Sequence, residues 1–204
     1  MSRCVIVGGA DIENYEKLNK EFLPSDYFIF CDSGLKHLNK LNAKHNLIIG
    51  DFDSYEKPET DVDIIQLPHE KDVTDTFAAV QIALEKGFSD FLIIGVVGQR
   101  LDHSLSNVSM LKYLKQKCAK ALIIDDYSKM FLLDKECKIS KGECKYFSVI
   151  ALSEKLEGLS ITGAKYSLEN AVIENSFQLG VSNEPENDTV ITLEKGDALI
   201  VKVF

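Results

Sequence analysis

The sequence predicts an α/β amino-terminal domain built on a mostly parallel sheet, followed by a small all-β domain. Two observations carry this. Through residue 126, short apolar runs alternate with helical patterns, and most runs empty into a loop of glycine and acid. That rhythm argues a parallel sheet with ligands at the carboxyl ends of its strands. Past about Lys129 the helical period disappears, and strand-like runs are punctuated by Gly142, Gly158, Gly163, Gly180 and Gly196. Residues 1–128 are therefore read as a Rossmann-like catalytic, nucleotide-binding domain, and 129–204 as a β-sandwich.

With 45% hydrophobic and 27% charged residues, the 204-residue chain is an ordinary globular sequence rather than a disordered one. A net charge of −9 with no basic block excludes a nucleic-acid surface. The same charge repels polyphosphates at long range, so such a ligand needs bound metal and a few local cations. Five cysteines, none in a C-x-x-C pair, read as reduced thiols of a cytoplasmic protein rather than a disulfide or zinc framework. The apolar run at 4–7 is too short for a secretory core, and nothing approaches a membrane span.

In order, the strand at 4–7 opens into Gly8-Gly9-Ala10 and a polar helix over about 12–22. The glycine pair either lets a phosphate approach or simply makes a tight turn. It matches neither the G-x-G-x-x-G nor the P-loop pattern. A strand at 27–31 ends in Asp32-Ser33-Gly34 before a helix at 35–41, which Asp32 either caps or leaves to hold a ribose. The run at 46–49 empties into Gly50-Asp51-Phe52-Asp53-Ser54. If the chain stays extended, Asp51 and Asp53 share a face, and two carboxylates there require water, a cation or a divalent metal between them. A solvated acidic turn is the alternative.

After a strand at 62–67, Lys71-Asp72-Val73-Thr74-Asp75 opens a helix running to about 86, with Phe77, Val80 and Leu84 on its core face. Asp72 and Asp75 make either a capping box or, with Lys71 as the cation, part of a phosphate site. A strand at 91–97 leads to Gly98-Gln99-Arg100-Leu101-Asp102-His103 and a helix over 104–116 with Leu105, Val108, Leu111 and Leu114 as its core stripe. Asp102 is placed as its N-cap, and the planar fork of Arg100 suits phosphate. A sixth strand covers 121–124. The second domain carries strands at 130–133, 145–152, 160–162, 171–173, 189–193 and 198–204, with 182–188 as an exposed polar loop. In a doubly wound sheet the acidic loops converge on one rim, and so many carboxylates with Lys71 and Arg100 among them point to a polyphosphate with Mg2+.

The three motifs, at 50–54, 71–75 and 98–103, together resemble in order and spacing those of the thiamin pyrophosphokinases. The tail segments 163–168, 180–184 and 196–199 are similar to that family's thiamin-binding domain. The chain departs from the family pattern with Gly163-Ala164-Lys165-Tyr166, where leucine is commoner at the second position, and it has no tryptophan. Stacking on thiamin would then fall to Tyr166 or to a phenylalanine such as Phe177. The resemblance implies transfer of the terminal diphosphate of ATP to the thiamin hydroxyl, with AMP leaving. It implies Asp51, Asp53 and Asp75 as ligands of Mg2+, Lys71 and Arg100 as phosphate cations, and Asp72 within the same catalytic set. Asp102 would orient or deprotonate the hydroxyl, or fix Arg100. Gly8, Gly9, Asp32, Ser33 and Gly34 would hold the nucleotide, with Ser54, Thr74, Gly98 and His103 completing the binding loops. Ser182 and Asn183 would meet thiamin. The family resemblance further implies a homodimer with thiamin at the interface, and no membrane or nucleic-acid partner. Two other readings remain: a related diphosphokinase acting on a pterin-type alcohol, and a non-enzymatic thiamin- or nucleotide-binding protein.

Overall fold

The computed structural model describes residues 2–52, 58, 60–70 and 72–204, so the expectations for Asp53, Ser54 and Lys71 lie outside the described residues. The chain separates into two compact units, Met1–Asp126 and Tyr127–Phe204.

Among the described residues the first unit holds six strands: β1 (Cys4–Val7), β2 (Tyr27–Cys31), β3 (Leu47–Gly50), β4 (Asp63–Gln66), β5 (Asp90–Ile94) and β6 (Lys120–Ile124). Their order is β6-β5-β1-β2-β3-β4, and every pairing is parallel. All four residues of β1 and of β3 are buried. This is why they read as unbroken apolar runs: inner parallel strands are covered on both faces. From β1 the chain winds outward to β4 on one side, then returns to place β5 and β6 on the other. The β1/β5 border is therefore where the strand order reverses, and open α/β sheets form a crevice there.

Helix α1 (Tyr15–Asn19) is shorter than the 12–22 expected. Asn14 accepts a hydrogen bond from the Lys17 N–H at 2.9 Å and so fixes the first turn at Tyr15. The segment after β2 is a 3-10 helix, Asp32–His37, and Asp32 lies in its first turn rather than capping it. Helix α2 (Asp75–Glu85) is capped by Thr74, whose Oγ1 accepts from the Phe77 N–H at 3.2 Å. Asp72 is no cap. It sits exposed, two residues before the capping position.

Helix α3 (Leu101–Gln116) starts three residues earlier than expected, so Asp102 falls in its first turn and is not the N-cap. Its buried stripe is Ser104, Asn107, Met110, Leu111 and Leu114, while Leu105 is 60% exposed and Leu101 67%. The expected stripe holds at Leu111 and Leu114 and fails at Leu105, because two polar residues begin the real one, and both bond the loop that precedes the helix. Asn107 Nδ2 donates to Val96 O at 2.8 Å, and Ser104 Oγ accepts from the Gly98 N–H at 3.0 Å.

The second unit contains β7 (Ser128–Leu132), β8 (Glu136–Ile139), β9 (Tyr146–Ala151), β10 (Lys155–Ala164), β11 (Leu168–Glu174), β12 (Gly180–Asn183), β13 (Pro185–Thr192) and β14 (Ala198–Val203). They run β12-β9-β14-β7 and, in a separate sheet, β11-β10-β13-β8, with antiparallel pairing throughout. Phe147, Val149 and Ile200 of the first group share one buried cluster with Leu156, Ile161 and Ile191 of the second. The polar stretch 182–188 is not a loop, since β12 and β13 take most of it. Asn183, 3% exposed, holds it in place. Its Oδ1 accepts from the N–H groups of Tyr166 (3.0 Å) and Glu184 (2.9 Å), and its Nδ2 donates to Tyr166 O at 2.7 Å. A buried side-chain amide here supplies the bonds that a ladder would otherwise make. Among the described residues no helix is long and apolar enough to cross a membrane.

Candidate active site

A cleft of about 480 Å³ opens in the first unit at the β1/β5 border. Its walls are the loops after β1 (Gly9, Ala10, Asp11), after β2 (Asp32, Ser33, Lys36) and after β5 (Gly95 to Arg100, without Val97), with Thr74–Thr76 at the head of α2. His103, Ser104 and Asn107 of α3 complete them.

Three carboxylates gather here. One oxygen each from Asp32, Asp51 and Asp75 lies within 4.8 Å of the others, although the three come from the ends of β2 and β3 and the start of α2. Asp32 and Asp51 are buried, 4% and 7% exposed. Gly50 makes their meeting possible: a Cβ there would stand 2.8 Å from the Asp32 Cβ. The chain does not stay extended past Asp51, because Phe52 adopts φ +59°. Such an all-oxygen set suits a hard divalent cation. An octahedral shell with bonds of about 2.1 Å spaces its ligands roughly 3–4 Å apart, within the reach of this trio.

The cations lie at the same cleft. Lys36 Nζ meets Asp11 Oδ1 at 2.7 Å, an exposed pair of the kind a stronger anion displaces easily. Arg100 grips Asp102 through both arms, Nε to Oδ1 at 2.9 Å and Nη2 to Oδ2 at 2.6 Å. That hydrogen-bonded guanidinium holds the Asp102 carboxyl well below the usual carboxylate range. Burial pushes the thiol of Cys31, also on the wall, far upward, so it stays neutral.

Of the residues singled out in the sequence, Gly9, Asp32, Ser33, Thr74, Asp75, Gly98, Arg100 and His103 line the cleft. Asp51 joins through the carboxylate trio. Gly8 packs against backbone instead, its N–H donating to Ile94 O at 2.9 Å. Gly34 is buried behind the wall, and Asp72 is exposed outside it. Ser182 and Asn183 belong to the second unit. Sequence reasoning missed Asp11, Lys36, Ser104 and Asn107. The last two had a signal, a pair of polar residues three apart on the apolar side of a helix.

Two family models match the chain: the thiamin pyrophosphokinase catalytic domain over residues 18–123 and the thiamin pyrophosphokinase vitamin B1 binding domain over residues 136–199. The chain belongs to the thiamin pyrophosphokinase family. It is 36% identical over 145 residues to the thiamine pyrophosphokinase of Bacillus subtilis (strain 168), a match that covers 66% of this chain and 67% of that one. The crystal structure of thiamine pyrophosphokinase from Bacillus subtilis superposes with a TM-score of 0.87 at 27% identity, covering 99% of each chain. That of thiamin pyrophosphokinase from Geobacillus thermodenitrificans has a TM-score of 0.84 over 99% of this chain and 97% of that one, and at 24% identity it speaks for the fold alone. The thiamin pyrophosphokinase activity is ATP-dependent diphosphotransfer, which makes thiamin diphosphate from thiamin and ATP. The resemblance seen in the motifs thus holds for the family and its reaction.

Proposed function

We propose that this chain carries out that transfer in the cleft at the β1/β5 border, with Mg2+ as its metal. The observation that carries the reading is the meeting of Asp32, Asp51 and Asp75 from three separate loops beside Lys36 and Arg100. The trio would hold the metal, with Asp53 as the further ligand implied by the family motif. Held there, the metal would offset the negative charge of the phosphates. The thiamin hydroxyl oxygen bonds to the β-phosphorus, and the bond from that phosphorus to the α–β bridging oxygen breaks. AMP leaves with the bridging oxygen. Arg100 exchanges Asp102 for the phosphate as negative charge builds there. Asp102, relieved of the guanidinium that depresses its pKa, regains basicity and takes the proton that the thiamin hydroxyl loses as its oxygen bonds to phosphorus. Lys36 leaves Asp11 for the phosphates in the same way, and Lys71 is assigned to them by its motif. The loops of Gly9, Ser33, Thr74, Gly98 and His103 receive the nucleotide.

The test is a product assay. Purified chain with ATP, Mg2+ and thiamin should release AMP, and only when thiamin is present. ADP as product, or AMP with a hydroxymethylpterin but not with thiamin, would sink the assignment. Binding of both substrates without AMP would make the chain a sensor instead.

We further infer a homodimer in which the second unit of one chain supplies the thiamin wall for its partner. The family resemblance supports this, as does the exposure of Tyr166 (60%) and Phe177 (67%), rings suited to stack on an aromatic ligand. The same reading takes the first unit as Rossmann-like and the second as a sandwich, and the parallel strand order and the single second-unit core agree with it. Equal amounts of Asp75→Asn and Tyr166→Glu chains, each inactive alone, should recover about a quarter of parental activity on co-refolding, because half the dimers are mixed and each carries one intact site. Background activity, with subunit exchange confirmed, would place each pocket within one chain.

A further inference from the structure

His37 is a fully buried histidine that the chemistry above leaves unused. It ends the 3-10 helix, is 1% exposed, and both ring nitrogens are engaged. Nε2 lies 2.9 Å from Ala10 O, and Nδ1 lies 2.8 Å from the hydroxyl of Tyr15. A carbonyl can only accept, so Nε2 carries the proton and donates to Ala10 O. Nδ1 of the neutral ring is then the acceptor, and the Tyr15 O–H donates to it. Burial, with Lys36 and Lys40 nearby, holds the imidazole pKa below its ordinary value, which keeps the ring neutral at pH 7.

Ala10 is pinned from its other side as well, because its N–H donates to Gly95 O at 2.7 Å. One short segment, Gly9 to Asp11, is thus held between the loop after β5, which carries Gly98 and Arg100, and the helix that carries Asp32 and Lys36. The next residue, Asp11, pairs with Lys36. Remove the imidazole and Ala10 O becomes a half-buried acceptor that has lost its donor, at the edge of the cleft.

We propose that His37, oriented by Tyr15, is a positioning residue for the nucleotide: it fixes the Gly9–Asp11 wall in the form that receives the phosphates and so sets affinity for ATP rather than the rate of transfer. This rests on the assignment of the cleft to ATP. His37→Leu removes both bonds at similar bulk, and His37→Gln returns an N–H of about the right reach for Ala10 O. Loss of one positioning hydrogen bond to a half-buried carbonyl is expected to raise the KM for ATP about tenfold in His37→Leu. The KM for thiamin and kcat should stay within about twofold, and His37→Gln should recover most of the lost affinity.

An unchanged ATP KM in a folded His37→Leu enzyme would overturn the proposal. So would equal loss in the leucine and glutamine variants, the mark of a packing role. If His37→Leu does not fold, Tyr15→Phe deletes one hydroxyl and keeps the imidazole. It should raise the ATP KM about threefold, on the weaker side of a single bond, and no rise would refute the relay. Direct ATP–Mg2+ binding without thiamin separates the two readings. A parent that binds ATP but makes no AMP defeats the proposed reaction, and the comparison of His37 variants by affinity still decides the role of His37.

Discussion

Asp75→Asn is expected to stop diphosphate transfer in a protein that stays folded. Asp75 opens α2, but the cap is Thr74, so the variant keeps the cap and loses the favourable placement of a negative charge at a helix start. That is worth about 0.3–1 kcal/mol. The same change takes a charge from the carboxylate trio and leaves an amide, a weaker ligand, in its place. Removing a group that merely supports a metal ligand costs roughly 10- to 100-fold. Loss of a ligand should therefore lower AMP release by more than about 100-fold. Urea denaturation and AMP release on the same preparation check the two halves together. A folded Asp75→Asn chain with near-parental turnover would reduce the trio to turn and helix-start residues. The same direction is expected for Asp32→Asn, which tests the one member that the sequence left undecided between cap and ribose contact.

Gly34→Ala should produce a large loss of stability. A Cβ at Gly34 would lie 2.3 Å from Val7 O, 3.0 Å from Val7 C and 3.1 Å from Gly8 O. All three are backbone atoms of β1 and its loop, so no side-chain rotation relieves the clash. Either the 3-10 helix or the end of β1 must move. Overpacking of this kind costs about 1–3 kcal/mol, and a contact with inner-strand backbone belongs at or above the top of that range. The urea midpoint should fall with little change in slope. AMP release should fall with it, because the walls bearing Gly9 and Asp32 are the parts pushed apart. Gly87→Ala is the control: Gly87 has φ +88° and open space around it, so its cost is only the roughly 1–2 kcal/mol of a left-handed alanine. A Gly34→Ala protein as stable as the parent would show that the approach of the two backbones is not tight.

The two folding patterns were legible in the chain because they depend on local period. Inner parallel strands such as β1 and β3 announce themselves as unbroken apolar runs, and the loss of helical spacing past Lys129 marks the change to antiparallel strands. The three acidic motifs were legible for the same reason: each is a short contiguous string. Element edges were less so. Asn14 and Thr74 each settle a boundary through one side-chain bond and Asn183 through three, and several nearby residues offer equally good local chemistry. Asp72 and Asp102 looked like caps because acids are favoured at any helix start. Only the backbone path shows that neither stands one residue before the first turn, where Thr74 and Arg100 do.

By itself, then, the sequence determined the order of strands and helices in the first unit, the sites of the acidic and cationic loops, and the family whose motifs they match, while β8 and β12 of the second unit went unread. Tertiary structure alone decided which of those groups meet. Asp32 lies 19 residues from Asp51 and 43 from Asp75, and nothing local makes it their neighbour. The parallel order β1-β2-β3 and the missing side chain of Gly50 do. Likewise His37 and Ala10 are 27 residues apart, and only the wrapping of the 3-10 helix against the end of β1 turns a buried histidine into the support of a loop. Distances of a few ångströms between residues far apart in the chain depend on packing, and packing is a property of all the residues at once.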